Sequence, residues 1–260
     1  MELNDTAAIV TGASSGIGAA VAEALAARGC NVAVNYNANR EGAEETAARC
    51  GAWGVKTIVC QADVADDADC RKLAAAAMEA FGRTDVLINN AGTTKFCNHN
   101  DLDGLDRQDF LDIYDINVVG AYQMTRAAAG ALKQAPAAHI VNMGSIAALT
   151  GVGSSIAYAA SKGALVTMTL SLARVLGPTI RVNAVCPGFV AGAWLRKGLG
   201  DKAYEAMKAH YESIAPLGKT ATPGTVAETV AALVGGMDWT TGETIIIDGG
   251  SHLHTAPMGR

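Results

Sequence analysis

Short apolar segments alternate with longer alanine-rich or amphipathic segments along most of this chain. The short segments are rich in β-branched residues and end at glycine or asparagine, which predicts buried strands. The longer segments carry apolar residues at helical spacing, and several begin with an acidic residue or end at glycine, which predicts helices. The predicted strands are 6–10, 31–36, 55–60, 86–88, 138–143, 180–185 and 244–248. The predicted helices are 18–28, 38–50, 66–81, 106–133, one that contains residue 158 and ends near 176, and 221–234.

This alternation of strands and helices predicts an α/β fold, because parallel neighbours need a helical crossover between them. We expect one domain over residues 1–260, a doubly wound Rossmann-type parallel sheet with helices on both faces. The segment 189–216 interrupts the alternation. It is long and contains Trp194 and Tyr204, so we expect it to form a helical lid over a substrate.

Composition and charge exclude several classes of protein. Half of the 260 residues are apolar, 17% are charged and the mean hydropathy is +0.20, which excludes a disordered chain. The net charge is −5, so neither nucleic acid nor an anionic membrane is expected as a partner. No apolar run of about 18 residues occurs, and the N-terminus is acidic. We therefore expect a cytoplasmic protein.

Cysteine and histidine spacing gives no metal site. The six cysteines form no Cys-x-x-Cys pair, and we expect reduced thiols that are mostly buried. His252 and His254 form an isolated His-x-His near the C-terminus, which we interpret as a solvated tail.

A glycine-rich turn separates the first predicted strand from the first predicted helix. It contains Gly12, Gly16 and Gly18. Glycines at this position let main-chain amides approach a pyrophosphate, which the positive end of the helix dipole also favours. The alternative is that the glycines only allow close packing of the helix.

Tyr158 and Lys162 lie four residues apart in a predicted helix, so both side chains project from one face. An ammonium close to the phenol would lower the tyrosine pKa and make proton transfer feasible at neutral pH. A serine hydroxyl could then hold a carbonyl oxygen against that phenol. Taken alone, the pair could equally be an ordinary contact on a helix surface.

The spacing Gly12-x-x-x-Gly16-x-Gly18 resembles that of the short-chain dehydrogenase/reductase family. Other motifs of that family follow in order along nearly the whole chain. They are Asn89-Asn90-Ala91-Gly92, Asn117, Ser145, Tyr158 with Lys162, Pro187-Gly188, and the closing Asp248-Gly249-Gly250. The resemblance implies a cofactor half at about 1–150 and a catalytic and lid half at about 138–260.

The resemblance also implies a role for each catalytic residue. Tyr158 is the general acid in reduction or the base in oxidation. Lys162 lowers the tyrosine pKa and binds the nicotinamide ribose, and Ser145 orients the substrate oxygen. Asn117 holds a water that links Lys162 to solvent. For Asn117 and Asn90, the alternative is a side chain that ties a helix to a strand.

The cofactor is expected to be a nicotinamide dinucleotide. The second strand ends without the carboxylate that binds both ribose hydroxyls in NAD enzymes, so we predict a preference for NADP(H), with NAD(H) possible. Asp63, followed by Val64, is expected to accept from the adenine amine, or else to cap a helix. The predicted cofactor contacts are Gly12, Ser14, Ser15, Gly16, Ile17, Gly18, Asn35, Asn37, Asn39, Arg40, Asp63, Val64, Asn90, Ala91, Gly92, Tyr158, Lys162, Pro187, Gly188 and Val190.

One position departs from the family pattern. The family's Pro-Gly-x-x-x-Thr ends here in Gly192, so the threonine that anchors the cofactor is missing, although the Val190 amide can still hold the carboxamide. We expect weaker cofactor binding and a more mobile lid. Cys186 lies beside this loop and is expected to be buried and inert.

The substrate is expected to be a small apolar carbonyl compound or alcohol without a fixed charge partner. The predicted lining residues are Ser145, Thr94, Phe96, Ala147, Leu149, Val152 and Trp194. The general resemblance is to 3-oxoacyl carrier-protein reductases. The helix ends where those reductases tend to carry basic residues are uncharged here apart from the nearby Lys133 and Arg174, which weakens that alternative.

Two further alternatives remain open. The first is a dinucleotide sensor or scaffold that has lost the chemistry, and the second is a nucleotide-sugar epimerase. The resemblance also implies a homo-oligomer, commonly a tetramer. The small apolar residues 127–131 and 165–173 are compatible with such interfaces, and with simple core packing.

Overall fold

The computed structural model describes residues 1–254, and its centre is a parallel sheet of seven strands in the order β3-β2-β1-β4-β5-β6-β7. The strands are β1 (Ala7–Val10), β2 (Asn31–Tyr36), β3 (Thr57–Gln61), β4 (Val86–Asn89), β5 (Ala138–Met143), β6 (Ile180–Pro187) and β7 (Thr244–Ile247). The sheet contains strands from both predicted halves of the chain. The predicted doubly wound α/β architecture is confirmed.

The helices follow the strands with the expected alternation. They are α1 (Gly16–Ala26), α2 (Arg40–Gly51), α3 (Asp67–Phe81), α4 (Arg107–Tyr114), α5 (Ala121–Leu132), α6 (Ala147–Thr150), α7 (Ile156–Leu176), α8 (Ala193–Leu199), α9 (Asp201–Ile214) and α10 (Pro223–Gly236). A 3₁₀ turn, Ser251–Leu253, follows β7.

Two apolar clusters cover the two faces of the sheet. Ala8 and Val10 of β1 point to the cluster that contains buried residues of α1, α2 and α10. Ile9 points to the other cluster, which contains buried residues of α3, α5 and α7. Successive residues of one strand thus serve opposite faces, as the period of two in a strand requires.

Two features of the fold differ from the predictions, and a third adds detail to the predicted helical segment 189–216. The predicted helix 106–133 is interrupted by a π-helical stretch, Asp115–Gly120, which separates α4 from α5. The short helix α6 is not predicted by the sequence pattern. The lid segment forms two helices, α8 and α9, which meet at Gly200 with φ of +77°.

The helix α7 is long and apolar enough to cross a membrane by length and composition. A core helix of a folded domain meets the same criterion, and 44% of this window is buried inside the fold. Because α7 packs against β6 and carries the buried Lys162, we interpret it as a core helix.

Candidate active site

A cavity of about 1130 Å³ lies at the carboxyl ends of the strands, between the loops after β1 to β6. Residues of α8 and α9, among them Trp194 and Met207, also line it. The chain order reverses at β1, which has β2 on one side and β4 on the other. Ligands of open α/β sheets bind in the crevice at this point, so the cavity is the candidate site.

The glycine loop after β1 forms one end of the cavity. Gly12 has φ of +60°, and a Cβ there would lie 2.9 Å from the Cα of Ala91. Gly16 has φ of +57° and open space where a Cβ would be. The neighbouring residues Ser14, Ser15 and Ile17 also line the cavity at the N-terminus of α1. This close, glycine-lined helix N-terminus fits the pyrophosphate of a dinucleotide.

Gly18 packs beneath the loop and does not line the cavity, so the structure gives it a packing role and its contact with the cofactor stays a prediction. A Cβ at Gly18 would overlap the side-chain amide of Asn90 and the carbonyl oxygen of Gly12. That amide donates to the carbonyl oxygens of Thr11 and Gly12 at 2.9 and 3.1 Å. The Thr11 hydroxyl in turn accepts from the main-chain amides of Asn90 and Ala91. These bonds tie the glycine loop to the end of β4.

The predicted catalytic residues come together beside this loop. Ser145 follows β5, while Tyr158 and Lys162 lie one turn apart at the start of α7. The Ser155 hydroxyl caps the N-terminus of α7 by accepting from the Tyr158 amide at 3.2 Å. Lys162 Nζ lies 5.7 Å from the centroid of the Tyr158 ring and donates to the carbonyl oxygen of Met143 at 2.7 Å. Ser145, Tyr158 and Lys162 all line the cavity.

Burial sets the proton affinities of this group. It raises the pKa of the Tyr158 phenol above its usual value, although hydrogen bonding with the Ser145 hydroxyl acts in the opposite direction. It also lowers the pKa of the Lys162 ammonium to about 8. The predicted lowering of the Tyr158 pKa is therefore wrong for the chain alone, because desolvation of the phenolate dominates. The phenol is protonated at neutral pH.

Asn117 lies in the π-helical stretch and is buried. Its Oδ1 accepts from the Thr93 amide at 2.8 Å, and its Nδ2 donates to the Thr93 carbonyl and the Ser161 hydroxyl, both at 3.0 Å. A Cβ at Gly92 would lie 3.2 Å from Asn117 Oδ1 and 3.6 Å from Lys162 Nζ. The side chain therefore ties α7 to the loop after β4, which is the alternative given above.

At the adenosine end, Asn37 and Asn39 line the cavity together with Asp63 and Val64. Asn37 Nδ2 donates to Asp63 Oδ2 at 3.1 Å; Asn37 is exposed and Asp63 is half-buried. Asn39 caps α2 by accepting from the Gly42 amide at 3.2 Å. Asp63 lies in the loop after β3, and its carboxylate is thus next to the end of β2.

Two other residues predicted for this end are used within the protein. Asn35 is buried on the floor of the cavity, where its Oδ1 accepts from the Gly12 amide and its Nδ2 donates to the carbonyl oxygens of Cys60 and Ala62. Arg40 does not line the cavity, and its Nε donates to Glu44 at 2.7 Å. In the chain alone Arg40 is thus paired with Glu44 outside the cavity, and its contact with a cofactor stays a prediction, whereas Asn35 lines the cavity and supports the glycine loop.

The loop after β6 forms the wall opposite the glycine turn, with Pro187, Gly188 and Val190 all lining the cavity. The Ala191 amide donates to the Ala221 carbonyl, and the Ala221 amide donates to the Phe189 carbonyl. The main-chain amide of Val190 takes no part in these two hydrogen bonds. It therefore remains available to bind a carboxamide, as the prediction for this residue requires.

At the substrate end, Phe96, Val152 and Trp194 line the cavity as predicted. Thr94, Ala147 and Leu149 do not, so these three predictions are wrong. Thr94 bonds to the Ser154 hydroxyl at 2.7 Å, Ala147 is buried in α6, and Leu149 faces outward. Lining residues that sequence reasoning missed include Thr93, Cys97, Asn98, His99, Ile116, Met143, Ile146, Gly153, Ser154 and Leu199.

The thiols behave as expected. Among the described residues all six cysteines are free, and only Cys97 is not buried. Burial raises the pKa of Cys186 to about 11, which confirms an inert thiol. His252 and His254 are exposed, as predicted, and His252 Nδ1 also lies 2.8 Å from Asp248 Oδ2. Within residues 1–254, no group of three or more potential metal ligands was found.

The chain matches known proteins over nearly its full length. The sequence model of a family described as enoyl-(acyl carrier protein) reductase matches residues 12–252. Ketoacyl reductase 2 of the granaticin polyketide synthase of Streptomyces violaceoruber is 40% identical, and the match covers 95% of this chain and 96% of that protein. A 3-oxoacyl-[acyl-carrier-protein] reductase of Staphylococcus aureus is 34% identical, covering 95% and 98%. A crystal structure of a short-chain dehydrogenase from Burkholderia cenocepacia in complex with NADP superposes with a TM-score of 0.87 at 35% identity, covering 97% of this chain and 100% of that one.

Proposed function

Because this chain belongs to the short-chain dehydrogenase/reductase family, we propose that it interconverts a ketone and a secondary alcohol with a nicotinamide dinucleotide, preferably NADP(H). One observation carries the proposal. Ser145, Tyr158 and Lys162 line one wall of a cavity whose other end is the glycine loop. That arrangement places two hydroxyl groups and a buried ammonium next to a dinucleotide-shaped cleft.

Each residue has a task that follows from its surroundings. Protonated Tyr158 donates its hydroxyl proton to the oxygen of the substrate in reduction, and the phenolate accepts that proton in oxidation. The Ser145 hydroxyl holds the same oxygen in position. Lys162 stabilises the phenolate that remains after proton donation, since its ammonium lies against the tyrosine ring. When bound, the nicotinamide supplies or accepts the hydride.

The residues around the cleft would hold the cofactor as follows. Gly12 and the N-terminus of α1 suit the pyrophosphate, Asp63 and Val64 suit the adenine, and the loop after β6 suits the nicotinamide. Preference for NADP(H) rests on the end of β2, which offers Asn37 and Asn39 where a carboxylate would repel a 2′-phosphate. The NADP bound to the Burkholderia relative supports this proposal.

The direct test is a panel of ketones and secondary alcohols, followed at the nicotinamide absorbance with NADP(H) and NAD(H). We expect turnover with both cofactors and a lower KM for NADPH than for NADH. Tyr158→Phe should lower kcat by about a hundredfold or more while cofactor binding persists. Tyr122→Phe, which removes an exposed hydroxyl on α5, serves as the matched control.

Two outcomes would reject the proposal. A Tyr158→Phe enzyme as active as the wild type would remove tyrosine from the mechanism. Cofactor binding without turnover of any substrate would instead favour the dinucleotide sensor.

A second candidate is a 3-oxoacyl-[acyl-carrier-protein] reductase, which the names of the Streptomyces and Staphylococcus relatives favour. An acidic carrier protein needs basic residues at the cavity mouth. Lys133 and Arg174 are exposed, but the chain's net charge of −5 works against such a partner. The panel therefore includes a carrier-protein thioester. A kcat/KM for it far above that of every free ketone would establish this candidate instead.

We also propose that the chain assembles as a homotetramer. Large apolar side chains are exposed on α4, α5, α7 and the π-helical stretch between α4 and α5. They are Phe110, Leu111, Val119, Tyr122, Leu170 and Val175. Light scattering after size-exclusion chromatography tests this, and a monomer at micromolar concentration would reject it.

A further inference from the structure

The lid helix α8 brings Trp194 into the substrate end of the cavity. The indole lies 5.5 Å from the ring of Phe96 and 6.5 Å from the ring of Tyr158, measured between centroids, with interplanar angles of 50° and 44°. It is nevertheless 51% exposed, and it lines the cavity. A large part of the indole is therefore uncovered beside the proton-donating tyrosine.

The position of this indole is fixed by the packing of α8. Gly198 lies one turn after Trp194, and a Cβ there would overlap the ring of Phe96. The helix thus rests directly on that ring. The loop that carries Phe96 is held by the Cys97 amide, which donates to the Ser154 carbonyl at 2.9 Å. The contacts of α8 with Phe96 thus place Trp194 beside Tyr158 in the chain alone.

The substrate end carries no countercharge for an ionic group. Among the cavity-lining residues that the structure describes, Lys162 and Asp63 are the only ones with formal charge when histidine is neutral, and they belong to the proton-donating group and the adenosine end. His99 also lines the substrate end, where its Nε2 lies 3.1 Å from the Gly153 carbonyl oxygen. Arg196 on α8 is paired with Asp201 and Glu205, and its guanidinium lies 4.1 Å from the centroid of the Tyr204 ring. This cation of α8 is therefore already paired with carboxylates, which favours an uncharged substrate.

We propose that the substrate is a neutral ketone whose carbonyl is joined to a planar unsaturated ring, and that Trp194 selects it by contact with that ring. The carbonyl oxygen lies at Ser145 and Tyr158, so a ring attached to the carbonyl carbon falls within reach of the uncovered indole. Aromatic pairs of this kind add to the affinity gained from burial alone. This inference rests on the proposed function and names its substrate class.

The experiment compares two ketones with the same carbon skeleton. α-Tetralone has a planar aromatic ring beside the carbonyl, whereas trans-α-decalone is fully saturated and puckered. We expect wild type to favour α-tetralone in kcat/KM by about tenfold. Trp194→Leu should remove most of that ratio, and Trp194→Phe should keep most of it. Trp239→Leu, at a fully exposed tryptophan, is the control and should leave the ratio unchanged.

A binding measurement separates failure of this inference from failure of the proposed function. The variant Trp53→Phe/Trp239→Phe keeps Trp194 as the single tryptophan. With NADP⁺ bound, its emission should change saturably with α-tetralone and less with trans-α-decalone. A tetralone-to-decalone ratio that survives in Trp194→Leu overturns the inference even if ketones are reduced. If neither ketone is reduced and the emission does not saturate, the inference is also overturned, and turnover of other members of the wider panel still decides the proposed function.

Discussion

Replacing Lys162 by methionine should make the folded chain more stable at neutral pH while abolishing its activity. Lys162 is 4% exposed, and its ammonium has one hydrogen bond within the protein, to the Met143 carbonyl at 2.7 Å. Methionine has a similar length and no charge, so the variant removes the buried charge without a large change in packing.

The lysine pKa gives the size of the effect. Folding lowers it from 10.5 to about 8, and this difference of about 2.5 pH units corresponds to about 3 kcal/mol of stability lost at pH 7. The variant regains that energy but leaves the Met143 carbonyl without its donor, which costs about 1–2 kcal/mol. We expect Lys162→Met to be more stable than wild type by about 1–2 kcal/mol at pH 7.

The sign of the pH dependence follows from the same pKa values. Below the folded pKa of about 8, lysine is charged in both states and the full cost of burying the charge remains. Between about 8 and 10.5 the unfolded chain binds more protons than the folded chain, so wild-type stability rises with pH. Wild type should therefore gain about 2 kcal/mol relative to the variant between pH 7 and about pH 9.5.

Urea unfolding without cofactor, followed by circular dichroism at both pH values, measures this difference. Other titrating groups are common to both proteins and largely cancel. Lys133→Met, at an exposed lysine, is the control and should change stability by less than about 0.5 kcal/mol at either pH. The reasoning fails if Lys162→Met is less stable than wild type at pH 7, or if the gap does not narrow as the pH rises.

Three further substitutions test the cofactor half and the lid. Gly18→Ala forces a Cβ against Asn90 and the Gly12 carbonyl. The free energy of unfolding should fall by about 1–3 kcal/mol, and NADPH should bind more weakly. Gly130→Ala, on an open helix surface, is the control and should weaken neither folding nor NADPH binding. Asn37→Asp places a second carboxylate beside Asp63 and should raise the KM for NADPH about tenfold, more than that for NADH; equal increases would contradict the proposed 2′-phosphate position. Gly192→Thr adds a hydroxyl at the N-cap of α8, where the backbone is extended and the space is open. The dissociation constant of NADPH, measured by calorimetry, should fall severalfold. An unchanged dissociation constant would show that the glycine does not weaken cofactor binding.

The fold could be predicted from the sequence because all seven strands and most of the long helices have a clear local pattern of apolar and polar residues. Strand bounds 31–36 and 138–143 agree with β2 and β5 to the residue. The break between α4 and α5 was not readable, since the residues of Asp115–Gly120 fit a regular helix by pattern. What distinguishes that stretch is the tertiary bonding of Asn117 to Thr93 and Ser161, which local periodicity does not contain.

At the cofactor end, the chemistry of a side chain does not by itself predict which groups it contacts. Asn35 and Arg40 both have side chains that suit a phosphate, and the structure places Asn35 in the cavity lining while Arg40 pairs with Glu44. Asn35 lies within β2 and is buried, so its amide satisfies main-chain groups of neighbouring loops. Arg40 has Glu44 one turn later on the same helix, a spacing visible in the sequence that favours an ion pair. This i,i+4 spacing in the sequence predicts that Arg40 pairs with Glu44 in place of the cofactor.

Burial rather than pairing governs the proton chemistry of this site in the chain alone. Desolvation raises the pKa of Tyr158 and lowers that of Lys162, so each group is driven toward its neutral form. At neutral pH the tyrosine is therefore a proton donor in its resting state, and the lysine, with a pKa of about 8, is still mostly charged. A protonated phenol beside a charged ammonium suits donation to a developing alkoxide, because the phenolate left behind gains a nearby cation. The oxidative direction needs the phenolate first, and burial opposes it. In the proposed reaction, the same desolvation that costs folding stability at Lys162 thus favours the reductive direction at neutral pH.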